Sequence, residues 1–176
     1  MLFVTSNSGK FREAKEILGD VEQAELDLEE PRGSLEHIAM HKALEASKRF
    51  EAPLFVEDSG LFIDALKGFP GSLSSIVHSK IGLEGIISLM KGKEDRSAHF
   101  KSVIAYVDGD GIKLFSGAVK GVISEEIRGT GGFAYDPIFI PQGYEKTFAE
   151  DQALKTKLSH RYYSLMALKS YLQATR

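Results

Sequence analysis

Two adjacent carboxylates, Glu57 and Asp58, follow directly on the apolar run Leu54-Phe55-Val56 and precede Ser59 and Gly60. An apolar run that stops so abruptly reads as a buried strand delivering its acids and a turn glycine to a sheet edge, where open α/β folds place their chemistry. A second acid pair, Glu29-Glu30, closes the alternating stretch Gln23 to Leu28. Carboxylates in such positions suit a hard cation with oxygen ligands, or general-base work on water. The matching cations lie elsewhere. Lys10 follows the turn Thr5-Ser6-Asn7-Ser8-Gly9 between an apolar strand and an amphipathic helix. Unpaired amides and the positive end of the helix dipole favour a phosphate there, although Ser8 reads as readily as a plain helix cap. Lys42 sits on the edge of the buried stripe of a second helix.

Two further stretches carry polar chemistry. Gly129-Thr130-Gly131-Gly132-Phe133-Ala134-Tyr135-Asp136-Pro137 sets glycines, two aromatics and an acid ahead of the apolar Ile138-Phe139-Ile140. Glycines permit close backbone approach and aromatics stack on planar ligands; the same composition also builds a glycine-rich hairpin with aromatic core anchors. Ser159 caps a C-terminal helix and leaves His160 and Arg161 in its first turn. A cation at that end is unfavourable by ~0.3 to 1 kcal/mol, which implies an anionic or hydrogen-bond-accepting partner.

These parts match the needs of a nucleoside triphosphate site: amides and cations for phosphate, carboxylates for Mg²⁺, aromatics and directional donors for a base. Other chemistries fit less well. A Walker A loop needs glycine five residues before Gly9, where Val4 stands. Ser59 lies in Asp-Ser-Gly and not in a Gly-x-Ser-x-Gly elbow. His37 and His41 are one helical turn apart, but Ile38 replaces the glutamate of a zinc hydrolase. With no evident nucleophile, metal-activated water is the simplest mechanism.

The elements that position these groups follow from periodicity. Met1 to Thr5 is a strand and Lys10 to Leu18 a helix, with Phe11, Ala14 and Leu18 on one face. Ser34 caps a helix to about Phe50, whose stripe is Leu35, Ile38, Ala39, Ala43 and Ala46. Gly68-Phe69-Pro70-Gly71-Ser72 reads as an ordered loop folded back over the preceding strand end. Gly82 to Lys91 is a helix with Leu83, Ile86, Ile87 and Met90 inward. Ala98 to Val107 and Ile112 to Val119 are strands joined by Asp108-Gly109-Asp110-Gly111, whose acids make the hairpin turn, and Gly121 to Ile127 extends the same region. The C-terminal helix buries Leu165, Leu168 and Leu172.

At 176 residues, 43% hydrophobic and 27% charged, the composition predicts one soluble globular domain, with two small lobes as the alternative. A net charge of -3 with interspersed signs excludes a broad basic footprint for nucleic acid or anionic membrane. The absence of cysteine excludes disulfides, thiolate metal sites and a cysteine nucleophile, and fits a reducing cytoplasm. The apolar start ends at Thr5, too short for a signal peptide, so the mature chain is expected to begin at Met1.

Four motifs, in order, resemble the inosine triphosphate pyrophosphatases, or Ham1-like non-canonical purine nucleoside triphosphatases. They are Thr5-Ser6-Asn7-Ser8-Gly9-Lys10; Glu57-Asp58-Ser59-Gly60-Leu61 with Gly68-x-Pro70-Gly71; Gly132-Phe133-Ala134-Tyr135-Asp136-Pro137; and Ser159-His160-Arg161. The resemblance covers nearly the whole chain. It implies a single pyrophosphatase domain over 1–176, a Maf/Ham1-like α/β fold with a long twisted mixed sheet flanked by helices, and two lobes around a central cleft. It implies a homodimer that uses Mg²⁺ to cleave inosine, deoxyinosine and xanthosine triphosphates between the α and β phosphates. By the same resemblance, Thr5, Ser6, Asn7, Ser8, Gly9 and Lys10 cradle the triphosphate and Lys42 reaches it. Glu30, Asp58 and Glu57 serve the metal, Asp58 is the general base, and Ser59 contacts substrate. Phe133, Ala134, Tyr135, Asp136, Lys155, His160 and Arg161 recognise the base. The chain departs from the family at Ala134, usually glycine, at Thr156 after the recognition lysine, where Lys157 competes with Lys155, and at Glu30-Pro31-Arg32-Gly33, where Glu29 is a substitute ligand. The related Maf-type pyrophosphatases and a non-catalytic nucleotide sensor are the competing readings.

Overall fold

A computed structural model of the chain describes residues 1–28, 31–51 and 53–175. In chain order the elements are β1 (Leu2–Val4), α1 (Ser8–Leu18), β2 (Glu22–Ala24), α2 (Leu35–Ser47), β3 (Leu54–Ile63), β4 (Pro70–Gly71), α3 (Ser74–Leu89), β5 (Ser97–Asp108), β6 (Gly111–Ile123), β7 (Phe139–Pro141), α4 (Gln152–Leu158) and α5 (His160–Ala174). The strands form one seven-stranded sheet in the order β2-β1-β3-β5-β6-β7, with β4 paired to β3. β1 is parallel to β2 and β3, while β4 is antiparallel to β3 and β7 to β6. The expected α/β class with a mixed sheet and flanking helices is the one observed. Among the described residues no helix is long and apolar enough to cross a membrane.

Packing divides the chain into two units. One comprises Met1–Asp58, Ser102–Gly117 and His160–Arg176; the other comprises Ser59–Lys101 and Ala118–Ser159. β3, β5 and β6 each supply residues to both.

In the first unit the register that sets Phe3 opposite Phe55 stacks their rings at 4.3 Å, and Ala14, Val21, Ile104, Tyr106, Leu165 and Leu168 complete the core. α2 buries Leu35, Ile38, Ala39, Ala43 and Ala46, the stripe its periodicity predicts. Its three alanines keep that face flat. The Asp108 carboxylate accepts the amide of Asp110 at 2.9 Å and Lys113 Nζ at 2.9 Å, so the hairpin acid is structural, as its spacing implied. At Gly117 on β6 a Cβ would meet the His160 carbonyl at 2.2 Å and the Ser164 amide nitrogen at 2.4 Å. The first turns of α5 therefore rest directly on strand backbone.

The second unit is built round Phe100, Phe139 and Phe148, with Phe100 and Phe139 4.6 Å apart, and with Ile63, Ile86, Met90 and Ile138 filling in. Here the structure corrects two expectations. β3 does not end at Glu57-Asp58-Ser59-Gly60 but runs on to Ile63, because Pro70-Gly71 returns to pair with Leu61 and Phe62. Gly60 is thus a strand residue. Its missing Cβ makes room for the Gly71 carbonyl, which that atom would meet at 2.2 Å. The helix expected from Gly82 already begins at Ser74, and Gly82, at φ 64° and ψ -166°, interrupts it. The Ser74 hydroxyl fixes this start, accepting the Leu61 amide at 2.8 Å and donating to the Gly71 carbonyl at 2.7 Å.

Gly117→Ala should lower the unfolding free energy by about 1 to 3 kcal/mol, the usual effect of overpacking, measured by urea denaturation. An unchanged midpoint would show that α5 can move off the strand freely.

Candidate active site

β3 delivers Glu57 and Asp58 side by side, both buried, at the end of the first unit's share of the strand. Because neighbouring strand residues point to opposite faces, the two acids meet different partners. Glu57 Oε2 lies 2.8 Å from Lys10 Nζ and 3.5 Å from Arg161 Nε. Its Oε1 accepts the Ser102 hydroxyl at 2.7 Å, and its main-chain carbonyl accepts a further bond from Lys10 Nζ at 3.0 Å. Asp58 Oδ1 pairs with Lys42 Nζ at 2.7 Å. Arg161, only 2% exposed, also reaches Glu13 Oε2 on α1 at 2.8 Å. Three cations therefore meet three carboxylates in these contacts.

The two acids titrate differently. Burial alone would raise the Glu57 carboxyl, but Arg161, Lys10 and the bonds from Lys10 and Ser102 outweigh it and hold the group far below the usual carboxylate range. For Asp58 the balance is reversed. Burial pushes its carboxyl up, with Glu57 adding to the rise, against the opposing pull of Lys10 and Lys42. Arg161 stays charged because Glu57 and Glu13 overcome the burial that disfavours its cation. A buried network of this kind is costly to break, since removing one partner strands a charge, at roughly 3 to 5 kcal/mol.

The donor set can be tested against a hard cation. Asp58 Oδ2 is buried and has no hydrogen-bond partner among the described residues, so one carboxylate oxygen remains open to a ligand. Glu57 offers less, since both its oxygens are already engaged. Glu29 and Glu30 lie outside the described residues. Among the described residues no three His, Cys, Asp or Glu side chains are grouped to hold a metal by themselves. An oxygen donor with an incomplete protein shell suits Mg²⁺ completed by phosphate oxygens and water.

Upstream, Asn7 and not Ser8 caps α1, its side chain accepting the Lys10 amide at 3.0 Å, while the Asn7 amide donates to Thr5 Oγ1 at 3.2 Å. The Thr5 carbonyl accepts Gln23 Nε2 at 2.9 Å, and Ser6, Asn7 and Ser8 are exposed. Gly9, the residue before Lys10, lies within α1. This loop is ordered by its own side chains and presents its residues outward.

The second unit holds a separate constellation. Lys155 Nζ pairs with Asp136 Oδ2 at 2.6 Å and lies 3.9 Å from the centroid of the Phe133 ring. Asp136 Oδ2 also accepts the Phe133 amide at 2.8 Å. Lys155 is buried and Lys157 exposed, which separates the two lysines that the sequence left open. The aromatics divide as well. Phe133 is 37% exposed, whereas Tyr135 is a core residue whose hydroxyl donates to the Ser74 carbonyl at 2.7 Å and is pushed up to about 12 by burial. Ser59 is half-buried in β3. Ala134 has φ 51°, a left-handed conformation that favours glycine.

Sequence reasoning missed Ser102, Ser164 and Glu13. Ser102 offered a signal, a hydroxyl inside the buried run Ser102-Val103-Ile104-Ala105 on β5, where an apolar residue is expected. Ser164 resembles any helical serine, and Glu13 any surface acid.

Ala134→Gly should raise the melting temperature by up to about 3 °C, as relief of a left-handed alanine is worth under roughly 1 kcal/mol after the extra chain entropy of glycine. Thermal unfolding of the two proteins checks this, and a drop in melting temperature would contradict the strain.

The profile of the Ham1 family matches residues 1–171. The dITP/XTP pyrophosphatase of Thermococcus kodakarensis is 46% identical, covering 98% of this chain and 97% of that protein. The protein of the same name from Pyrococcus horikoshii is 49% identical, over 98% and 96%. Among solved structures, the HAM1 protein of Coxiella burnetii superposes with a TM-score of 0.89 at 31% identity, covering 98% of each chain. The Staphylococcus aureus Ham1 protein gives 0.88 at 29% over the whole of both. A match over almost the full length, with the carboxylate pair on its strand and lysines against it, places this chain in the Ham1 family.

Proposed function

We propose that this protein hydrolyses non-canonical purine nucleoside triphosphates, those of inosine, deoxyinosine and xanthosine, to the monophosphate and pyrophosphate, and so removes them from the nucleotide pool. The observation that carries the reading is Asp58: a buried carboxylate with one oxygen on Lys42 and the other without a hydrogen bond among the described residues, beside a second lysine held by Glu57. The names of the relatives from Thermococcus kodakarensis and Pyrococcus horikoshii support it.

Each group then has a task. Lys10 and Lys42 neutralise phosphate charge, together with the amides and hydroxyls of Thr5 to Gly9. Asp58, with Glu30 and Glu57 as further candidate carboxylates, would hold Mg²⁺, which when bound would supply charge for the triphosphate and acidify water. Asp58, its basicity raised by burial, takes the proton from the water that attacks the α-phosphorus, and pyrophosphate leaves. Ser59 contacts the substrate. Phe133 offers a ring face to a purine, with Lys155 and Asp136 ordering its loop, Ala134 setting the backbone turn and Tyr135 anchoring that loop in the core. His160 and Arg161 are the donors for a 6-oxo group. Such donors meet the amino group of adenine donor against donor. The protein works as a homodimer in the cytoplasm, without nucleic acid or membrane.

The purified protein with Mg²⁺ should release pyrophosphate from dITP and XTP at least about a hundredfold faster, in kcat/KM, than from dATP, the range available to a polar mismatch. Preference for uridine or thymidine triphosphates would identify a Maf-type activity, and binding without release a sensor. Asp58→Asn should lower kcat by about 100-fold or more, within the range for loss of a general base. Turnover near the normal rate would remove Asp58 from the chemistry.

A further inference from the structure

Below Glu57 lies a pair of hydroxyls that the catalytic reading does not use. Ser102 on β5 and Ser164 on α5 are both fully buried, and their oxygens are 2.9 Å apart. Ser102 Oγ is 2.7 Å from Glu57 Oε1, and Ser164 Oγ is 3.1 Å from the Arg161 carbonyl. A hydroxyl in an apolar strand interior is unfavourable unless a partner requires it, and an alanine would fill the same place without that penalty. Ser164 alone has an ordinary explanation, as helical serines often bond the carbonyl one turn back. Ser102 has none of that kind.

Counting protons orders the chain of bonds. Glu57 Oε2 faces Lys10 Nζ at 2.8 Å and Arg161 Nε at 3.5 Å, and a carboxylate paired with cations can only accept. The single proton of Ser102 therefore goes to Glu57, across the shorter of its two contacts. Ser102 then accepts from Ser164, whose alternative acceptor, the Arg161 carbonyl, is farther away. The direction is Ser164 to Ser102 to Glu57. It fixes Oε1, and with it the plane of the carboxylate that points Oε2 at Lys10.

We propose that the Ser164–Ser102 hydroxyl chain is a positioning device that locks Glu57 onto Lys10, so that the phosphate-binding lysine is set in place before substrate arrives. This rests on the assignment of Lys10 to phosphate. The serines act through Glu57 and Lys10 and do not touch substrate. Their presence also ties α5, which carries Arg161 one turn before Ser164, to the same carboxylate by a second arm.

The test is a double-mutant cycle between Ser102→Ala and Lys10→Ala, read by calorimetric binding of inorganic tripolyphosphate without metal, alongside KM and kcat for dITP with Mg²⁺. Ser102→Ala should weaken tripolyphosphate binding and raise KM by about tenfold, the worth of one charge-assisted hydrogen bond, with kcat changed less than about twofold. In the Lys10→Ala background the same substitution should have no further effect. Ser164→Ala, which withdraws a donor and leaves Ser102 in place, should act in the same direction by a smaller factor and replaces Ser102→Ala in the cycle if that variant does not fold. Additive effects of the serine and lysine substitutions, or variants that bind tripolyphosphate like the wild type, would overturn the proposal. A wild type that binds tripolyphosphate through Lys10 but releases no pyrophosphate would instead overturn the functional reading, and the cycle would still decide the role of the serines.

Discussion

A buried carboxylate that stays ionised is the constraint on which the first unit depends. Glu57 has no exposure to speak of, so its charge survives only because Lys10, Arg161 and Ser102 close round it. Those partners come from α1, α5 and β5, elements far apart in the chain. The ion pairs therefore fix where the helices sit on the strands as well as the charge at the site. Such networks add little net stability compared with an apolar core, but each member is expensive to lose. Arg161 shows this, being balanced between Glu13 and Glu57 in a place where an unpaired guanidinium would not be tolerated.

Asp58 feels the field of Lys10 and Glu57 but pairs with a different lysine. One residue along the strand, it faces the other way, meets Lys42, and keeps an oxygen that no described group uses. Two adjacent acids thus shift in opposite directions through environment alone, one held as an anion by Arg161 and Lys10, the other raised by burial. The second unit repeats the theme on a smaller scale. Asp136 spends its carboxylate on Lys155 and on the Phe133 amide, and the Phe133 ring stays 37% exposed.

Much of this was legible in the sequence because it is local. The stripe of α2, the inward face of the C-terminal helix, the hairpin at Asp108 and the strand carrying Glu57 and Asp58 all follow from spacing and turn chemistry. Where β3 stops was not legible, because its length is set by Pro70-Gly71 returning to pair with it, a non-local event. The same holds for Gly60, which reads as a turn residue until the Gly71 carbonyl is seen against it. The candidate site divides in the same way. Motif residues announce themselves by type, whereas Glu13, Ser102 and Ser164 matter only through partners distant in the chain. The departure at Ala134 became intelligible once its left-handed backbone was known.

The central claim is that water attacks the α-phosphorus of a purine triphosphate, and the destination of the water oxygen tests it most directly. Turnover of dITP in water enriched in oxygen-18, followed by phosphorus NMR or mass spectrometry of the products, reports which bond is broken and which phosphorus is attacked. The account predicts one labelled oxygen in the monophosphate and none in the pyrophosphate. Label in pyrophosphate, or release of labelled inorganic phosphate with a nucleoside diphosphate, would contradict it.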